Sequence, residues 1–210
     1  MHDGFDPTLY AILDLTPDGP MIGIDRACHA VTGGVTLFQL RGKGVPARRL
    51  WTLAREMVRQ LSPLGVPLIV NDRADVARAA GAQGVHLGQS DLPAVLVRRA
   101  WPEAIIGVSI HNMSDLEAAR IAGASYVASG SLFATGTKPD ATPLTGEMLR
   151  SLAAAADRPL VAIGGITLEN AAIAAELGAD GIAVISGLWS APDVALRAGA
   201  LRAAFESGRG

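Results

Sequence analysis

The segment 37–43, Leu-Phe-Gln-Leu-Arg-Gly-Lys, begins apolar and ends in an amide, a guanidinium and an ammonium. Side chains alternate with period two in a strand, so Gln39, Arg41 and Lys43 fall on one face. A buried parallel strand has no packing reason to carry two cations at its carboxyl end, whereas a bound anion supplies one. Polar groups recur where other apolar runs stop. Asn71 and Asp72 follow the run at 68–70, and Gln89 and Asp91 follow that at 85–87. Ser109 and His111 end the run at 105–110. Thr135, Thr137 and Lys138 lie beyond 126–129, Gly164-Gly165 follows 160–163, and Ser186-Gly187 follows 182–185.

Two carboxylates, Asp72 and Asp91, would then face three cations, Arg41, Lys43 and Lys138, across one mouth. Carboxylates with few other donors suit Mg²⁺, a hard ion that takes oxygen ligands and keeps waters for a substrate's phosphates. Together these groups predict a diphosphate chelated to Mg²⁺; the plainer alternative is a ring of salt bridges. Gly164, Gly165, Ile185 and Ser186 form a second candidate anion site, where bare backbone N–H groups and a short helix can meet a phosphate. His86 lies mid-strand and is expected to be a hydrogen-bonded interior residue. His111, at a strand end, is open between supporting a neighbour and acting as an acid–base group. His2 and His29 carry no functional expectation. Cys28 reads as a small buried apolar residue, and Trp51, Trp101 and Trp189 as packing residues.

The elements that must position these groups alternate along the chain. Eight short apolar runs are predicted as strands, each followed by a helical pattern. Ser114 is expected to cap one helix, with Glu117 completing a capping box. Gly81-Ala82, Gly123-Ala124 and Gly178-Ala179 repeat between a helix and the next strand, where glycine supplies a left-handed stop. Eight βα units predict an α/β fold, a closed (β/α)8 barrel, with an open doubly wound sheet as the alternative. In either architecture ligands bind at the carboxyl ends of the strands.

The 210 residues are expected to form one domain, 1–210, with 1–8 and 206–210 as tails. Half the residues are hydrophobic, yet only 4% are aromatic, which suits a buried parallel sheet under alanine-rich helices. A formal net charge of -2 gives no sign of a nucleic-acid partner. No apolar run is long enough to span a bilayer, and the polar start does not resemble a signal peptide. One cysteine excludes an internal disulfide. A cytoplasmic protein with small-molecule substrates is expected, with no membrane and no nucleic acid; a homo-oligomer is left open.

Gln39-Leu-Arg-Gly-Lys43, Asn71-Asp72, Gly88-Gln-Ser-Asp91, Gly107-Val-Ser109, Thr135-Gly-Thr-Lys138, Ile163-Gly-Gly-Ile166 and Val184-Ile-Ser186 resemble, in order and spacing, the thiamine phosphate synthase family. The resemblance runs from about Leu9 to Phe205. It implies a (β/α)8 barrel and a transferase that joins hydroxymethylpyrimidine diphosphate to a (carboxy)thiazole phosphate. It also implies that Gln39, Arg41, Lys43, Asn71 and Lys138 hold the pyrimidine diphosphate, with Ser109 beside it, and that Asp72 and Asp91 bind Mg²⁺. Thr135, Thr137, Gly165, Ile185 and Ser186 would hold the thiazole phosphate, with Gly164 adjoining. Lys138, Ser109, Arg41 and Lys43 would carry the catalysis. Departures lie in Gly130-Ser131-Leu-Phe-Ala134-Thr135, where the family often has two prolines, and in Ala162, where it often has glycine. A sister family of thiazole tautomerases, with His111 as base, is the first rival. A non-catalytic phosphate-binding barrel is the second.

Overall fold

Nearly every strand residue is buried, and the reason is a sheet with two covered faces. The computed structural model describes residues 5–16, 23–134 and 144–209. Its strands are β1 (Leu9–Asp14), β2 (Leu37–Arg41), β3 (Leu68–Asn71), β4 (Gly84–Leu87), β5 (Ile105–Ile110), β6 (Tyr126–Ser129), β7 (Leu160–Ile163) and β8 (Gly181–Val184). All pair in parallel, each with its sequence neighbour, and β1 closes on β8. The fold is therefore the closed (β/α)8 barrel, and the open-sheet alternative is excluded. The helices are α1 (Ile24–Thr32), α2 (Ala47–Leu61), α3 (Ala74–Ala80), α4 (Ala94–Ala100), α5 (Met113–Ile121), α6 (Gly146–Ala155), α7 (Ala171–Glu176), α8 (Ser186–Trp189) and α9 (Val194–Ser207). The expectation of one helix per strand missed the short α8, inserted between β8 and α9.

Period-two alternation divides the apolar residues into two cores. Leu9, Ala11, Leu13, Phe38, Leu40, Leu68 and Val70 face outward and pack under the helices. Tyr10, Ile12, Leu37, Ile69, Tyr126, Ala128, Val161 and Ala183 fill the barrel's interior. In β2 the inward set continues from Leu37 through Gln39 to Arg41, so one strand carries the interior from apolar to cationic as it exits. The repeat glycines Gly81, Gly123 and Gly178 take φ of 76°, 75° and 91°, the left-handed stops the repeat predicts.

Two local expectations are corrected. Ser114 does not cap α5; Asn112 does, its side-chain oxygen accepting from the Asp115 N–H at 2.9 Å. With the cap at Asn112 the Ser114–Glu117 capping box does not form; Asp115 accepts from the His111 N–H at 2.8 Å and Glu117 pairs with Arg120. Cys28 is half-buried, not buried. The tryptophans do pack, and two also bond: Trp189 Nε1 donates to the Ile12 carbonyl at 2.7 Å and Trp51 Nε1 to that of Ala79 at 3.1 Å. Among the described residues no helix is long and apolar enough to cross a membrane.

Candidate active site

The inward-facing residues at the carboxyl ends of the strands line one cavity of about 210 Å³. It gathers Gln39, Arg41, Lys43, Asn71, Asp72, Asp91, Ser109, Gly164, Gly165, Ile185 and Ser186, every expected site residue that lies within the described segments. His86 and His111 line it as well. Thr135, Thr137 and Lys138 lie outside the described residues. Gln89 is not in the wall; its amide donates to the Ser109 carbonyl at 2.5 Å and ties the loop after β4 to β5.

The cationic side is braced by a residue the sequence reading passed over. Arg41 Nη1 lies 2.5 Å from both carboxylate oxygens of Asp14, which ends β1 in register with it. The pair is largely buried, with side-chain exposures of 15% and 21%, so it fixes the guanidinium at the rim. The rule that strand ends carry chemistry, applied to the first strand, would have found Asp14.

Beside it, beyond the neighbouring strands, stand the carboxylates. Asp72 follows β3 with φ of 63°, the one described non-glycine residue in the left-handed region. That conformation is uncommon for a residue with a side chain and concentrates at functional sites. Its N–H donates to the His86 carbonyl at 2.8 Å, which pins the turn. Asp91 closes its own turn by accepting from the Gly88 N–H at 2.7 Å. The Asp91 carboxyl is a close neighbour of the Asp72 carboxyl. Partial burial first, then this neighbour, push Asp72 up to about 6, against the opposing pull of Lys43 and Arg41.

Two carboxyls forced together share a proton unless a cation replaces it. No group of three or more His, Cys, Asp or Glu able to hold a metal occurs among the described residues. An oxygen-only pair fits Mg²⁺, which seldom takes an all-protein cage and leaves positions to waters and phosphate oxygens. The residues present therefore fit the ion.

The residues of the second candidate anion site line the same cavity. Gly164 and Gly165 take φ of 101° and 63°. Their need for glycine is double, because the loop after β6 runs directly over them. A Cβ on Gly164 would sit 2.2 Å from Ser131 Oγ, and one on Gly165 2.4 Å from the Ala134 carbonyl oxygen. Close approach of this loop, together with the positive φ values, thus explains the pair. Asn170 braces the turn, its Nδ2 donating to the Gly165 carbonyl at 2.9 Å. Ile185 and Ser186 face it at the start of α8.

The floor of the cavity is a run of polar side chains inside the barrel. Gln39 Nε2 donates to Tyr10 Oη at 2.7 Å, and Tyr10 Oη lies 2.8 Å from Tyr126 Oη. His86 Nδ1 is 3.0 Å from Tyr126 Oη, and His86 Nε2 is 2.9 Å from Ser109 Oγ. His86 is the interior, bonded residue that its mid-strand position predicts. The tyrosines were missed, yet a signal existed: the chain has only two, and both sit in apolar strands where a buried hydroxyl must find a partner. His111 stands at the mouth, 55% exposed, with Nδ1 3.3 Å from Asp115.

Known proteins resemble this chain along most of its length. The family model described as Thiamine monophosphate synthase matches residues 9–188. A thiamine-phosphate synthase of Roseiflexus sp. is 45% identical over 201 residues, 95% of this chain and 85% of the relative. One from Azorhizobium caulinodans is 42% identical over 211 residues, 100% of each chain. The solved thiamine phosphate pyrophosphorylase of Pyrococcus furiosus superposes with a TM-score of 0.86 at 33% identity, covering 97% of this chain and 98% of its own.

Proposed function

The chain belongs to the thiamine monophosphate synthase family, and from that premise we propose how the mouth of its barrel performs the family's reaction. The enzyme is a transferase that joins hydroxymethylpyrimidine diphosphate to a thiazole phosphate and releases thiamine phosphate and pyrophosphate. The rival readings, a tautomerase with His111 as base and a non-catalytic phosphate-binding barrel, are set aside.

The bond that breaks joins the pyrimidine's methylene carbon to the diphosphate; the bond that forms joins that carbon to the thiazole nitrogen. The electron pair leaves with the diphosphate, so the demand on the protein is for positive charge at the leaving oxygens. Arg41, held by Asp14, and Lys43 meet that demand from β2 and the turn beyond it. Asp72 and Asp91 hold Mg²⁺, which adds charge against the phosphate oxygens when bound. Asn71 orients the diphosphate beside them, and Gln39 and Ser109 orient the pyrimidine over the polar floor. Gly164, Gly165, Ile185 and Ser186 hold the phosphate of the thiazole partner, which places its ring across the cavity from the leaving group. Lys138, Thr135 and Thr137 complete the two anion sites by resemblance to the family. No strong base is required at the reacting carbon.

The observation that carries this reading is the carboxyl pair of Asp72 and Asp91 set beside Arg41 and Lys43 at the carboxyl ends of the barrel strands. The test is Asp91→Ala and Lys138→Ala under saturating Mg²⁺. Each is expected to lower thiamine phosphate formation about a hundredfold or more. Wild-type rates in both variants would remove the assignment.

A further inference from the structure

We infer that Tyr10 and Tyr126 are positioning residues that set the direction of the hydrogen-bond chain ending at Ser109, so that Ser109 presents its hydroxyl proton to the pyrimidine diphosphate. This rests on the functional reading above and concerns groups that reading leaves without a role.

Buried donors must each find an acceptor. Gln39 Nε2 donates to Tyr10 Oη, and Tyr10 is only 1% exposed, so its own proton must be used inside the barrel. Tyr126 Oη, at 2.8 Å, takes it. Tyr126 is 0% exposed and in turn donates to the next acceptor, His86 Nδ1 at 3.0 Å. A ring nitrogen that accepts carries no proton, so the His86 ring proton sits on Nε2. That proton points at Ser109 Oγ, 2.9 Å away on β5. Ser109 therefore accepts from His86 and turns its own hydroxyl proton toward the cavity it lines. Burial keeps both phenols protonated, so the chain stays a chain of neutral donors.

The direction matters because the reverse has a different chemistry. If Gln39 presented its carbonyl oxygen to Tyr10, every bond would turn round and His86 Nε2 would accept from Ser109. Ser109 would then be an acceptor or a nascent nucleophile, of no use to a reaction whose leaving group already carries the electrons away. As a donor it can meet a ring-nitrogen lone pair or a phosphate oxygen of the pyrimidine diphosphate. The barrel also makes specific room for the link. A Cβ on Gly107 would lie 2.2 Å from Tyr126 Cζ and 2.5 Å from His86 Nδ1, so only glycine at that position lets the two rings meet.

The test is ¹⁵N NMR of the full chain labelled at histidine, with His86 assigned by a His86→Asn variant, alongside steady-state kinetics. Wild-type protein is expected to show His86 Nε2 as the protonated, pyrrole-type nitrogen and Nδ1 as the pyridine-type one. Tyr126→Phe keeps the ring but removes the donor. The single tautomer should be lost, and KM for the pyrimidine diphosphate should rise about tenfold while KM for the thiazole phosphate stays put. Protonated Nδ1 in wild-type protein overturns the direction, as does a Tyr126→Phe enzyme with the wild-type tautomer and KM. The wild-type spectrum alone decides the matter if the variant does not fold. A wild-type enzyme that forms no thiamine phosphate would overturn the functional reading instead, whatever its histidine spectrum.

Discussion

Arg41 and Asp14 are register partners on adjacent strands, and their side chains meet with Nη1 2.5 Å from both carboxylate oxygens. The anion that Arg41 is proposed to bind therefore finds a guanidinium already oriented, and little side-chain entropy is lost on binding. Asp14→Asn should raise KM for the pyrimidine diphosphate about tenfold and leave KM for the thiazole phosphate unchanged, as expected for loss of a charge-assisted bond worth roughly 1.5 kcal/mol. Initial rates with each substrate varied in turn check this. An equal change in both constants would place Asp14 in general folding instead.

The Asp72–Asp91 contact makes a prediction about pH. Partial burial and then Asp91 hold Asp72 at about 6, above its ordinary 3.8. Between those values the folded metal-free protein keeps a proton that the unfolded chain has released. The stability this gives is fully present below the ordinary value and is lost as pH rises through about 6. At this solvated rim the effect is about 1 kcal/mol after screening. Asp72→Asn, which tolerates the left-handed backbone, should remove that pH dependence between pH 4 and 7 from thermal melts without Mg²⁺. The same proton competes with Mg²⁺, so titration calorimetry should find the ion bound more weakly as pH falls below about 6.

The glycine over which two rings meet is open to a direct test. Gly107→Ala places a methyl 2.2 Å from Tyr126 and 2.5 Å from His86, so the two rings must shift to admit it. Overpacking of this kind costs about 1–3 kcal/mol. Chemical denaturation should show that loss, and the fraction that folds should bind the pyrimidine diphosphate more weakly. A variant as stable as wild type would mean that the interior can repack.

The thiazole phosphate side should respond separately. At Gly165, φ of 63° and a would-be Cβ 2.4 Å from the Ala134 carbonyl oxygen both oppose a side chain. Gly165→Ala is expected to raise KM for the thiazole phosphate about tenfold or more, from roughly 1–2 kcal/mol of backbone strain. The pyrimidine diphosphate KM should hold, which competitive kinetics with inorganic phosphate can corroborate.

The fold was legible because its pattern is periodic: apolar runs, helices and the glycines at 81, 123 and 178 repeat, and repetition averages out local ambiguity. Gln39, Arg41 and Lys43 were legible because two-residue alternation alone fixes their face, and the structure puts all three in one cavity. Asp14 was not, because its role depends on which strand lies beside β2, a fact of closure and register. Tyr10 and Tyr126 were hidden for a similar reason. They are 116 residues apart, and only the closed barrel brings their hydroxyls within 2.8 Å. Asn112 and not Ser114 caps α5 because the helix starts at Met113, and several polar residues in a row here can each bond the backbone, a competition that composition does not rank. Thr135, Thr137 and Lys138 rest on motif alone, since they fall outside the described residues.

The central claim is that one barrel mouth joins two phosphorylated substrates by displacing diphosphate. The most direct measurement follows pyrophosphate and thiamine phosphate together in a mixture of enzyme, pyrimidine diphosphate, thiazole phosphate and Mg²⁺. The two products are expected in equal amounts, and omitting either substrate or the metal is expected to stop both. Pyrophosphate released without the thiazole phosphate, or turnover of the thiazole phosphate alone in the absence of Mg²⁺, would contradict it.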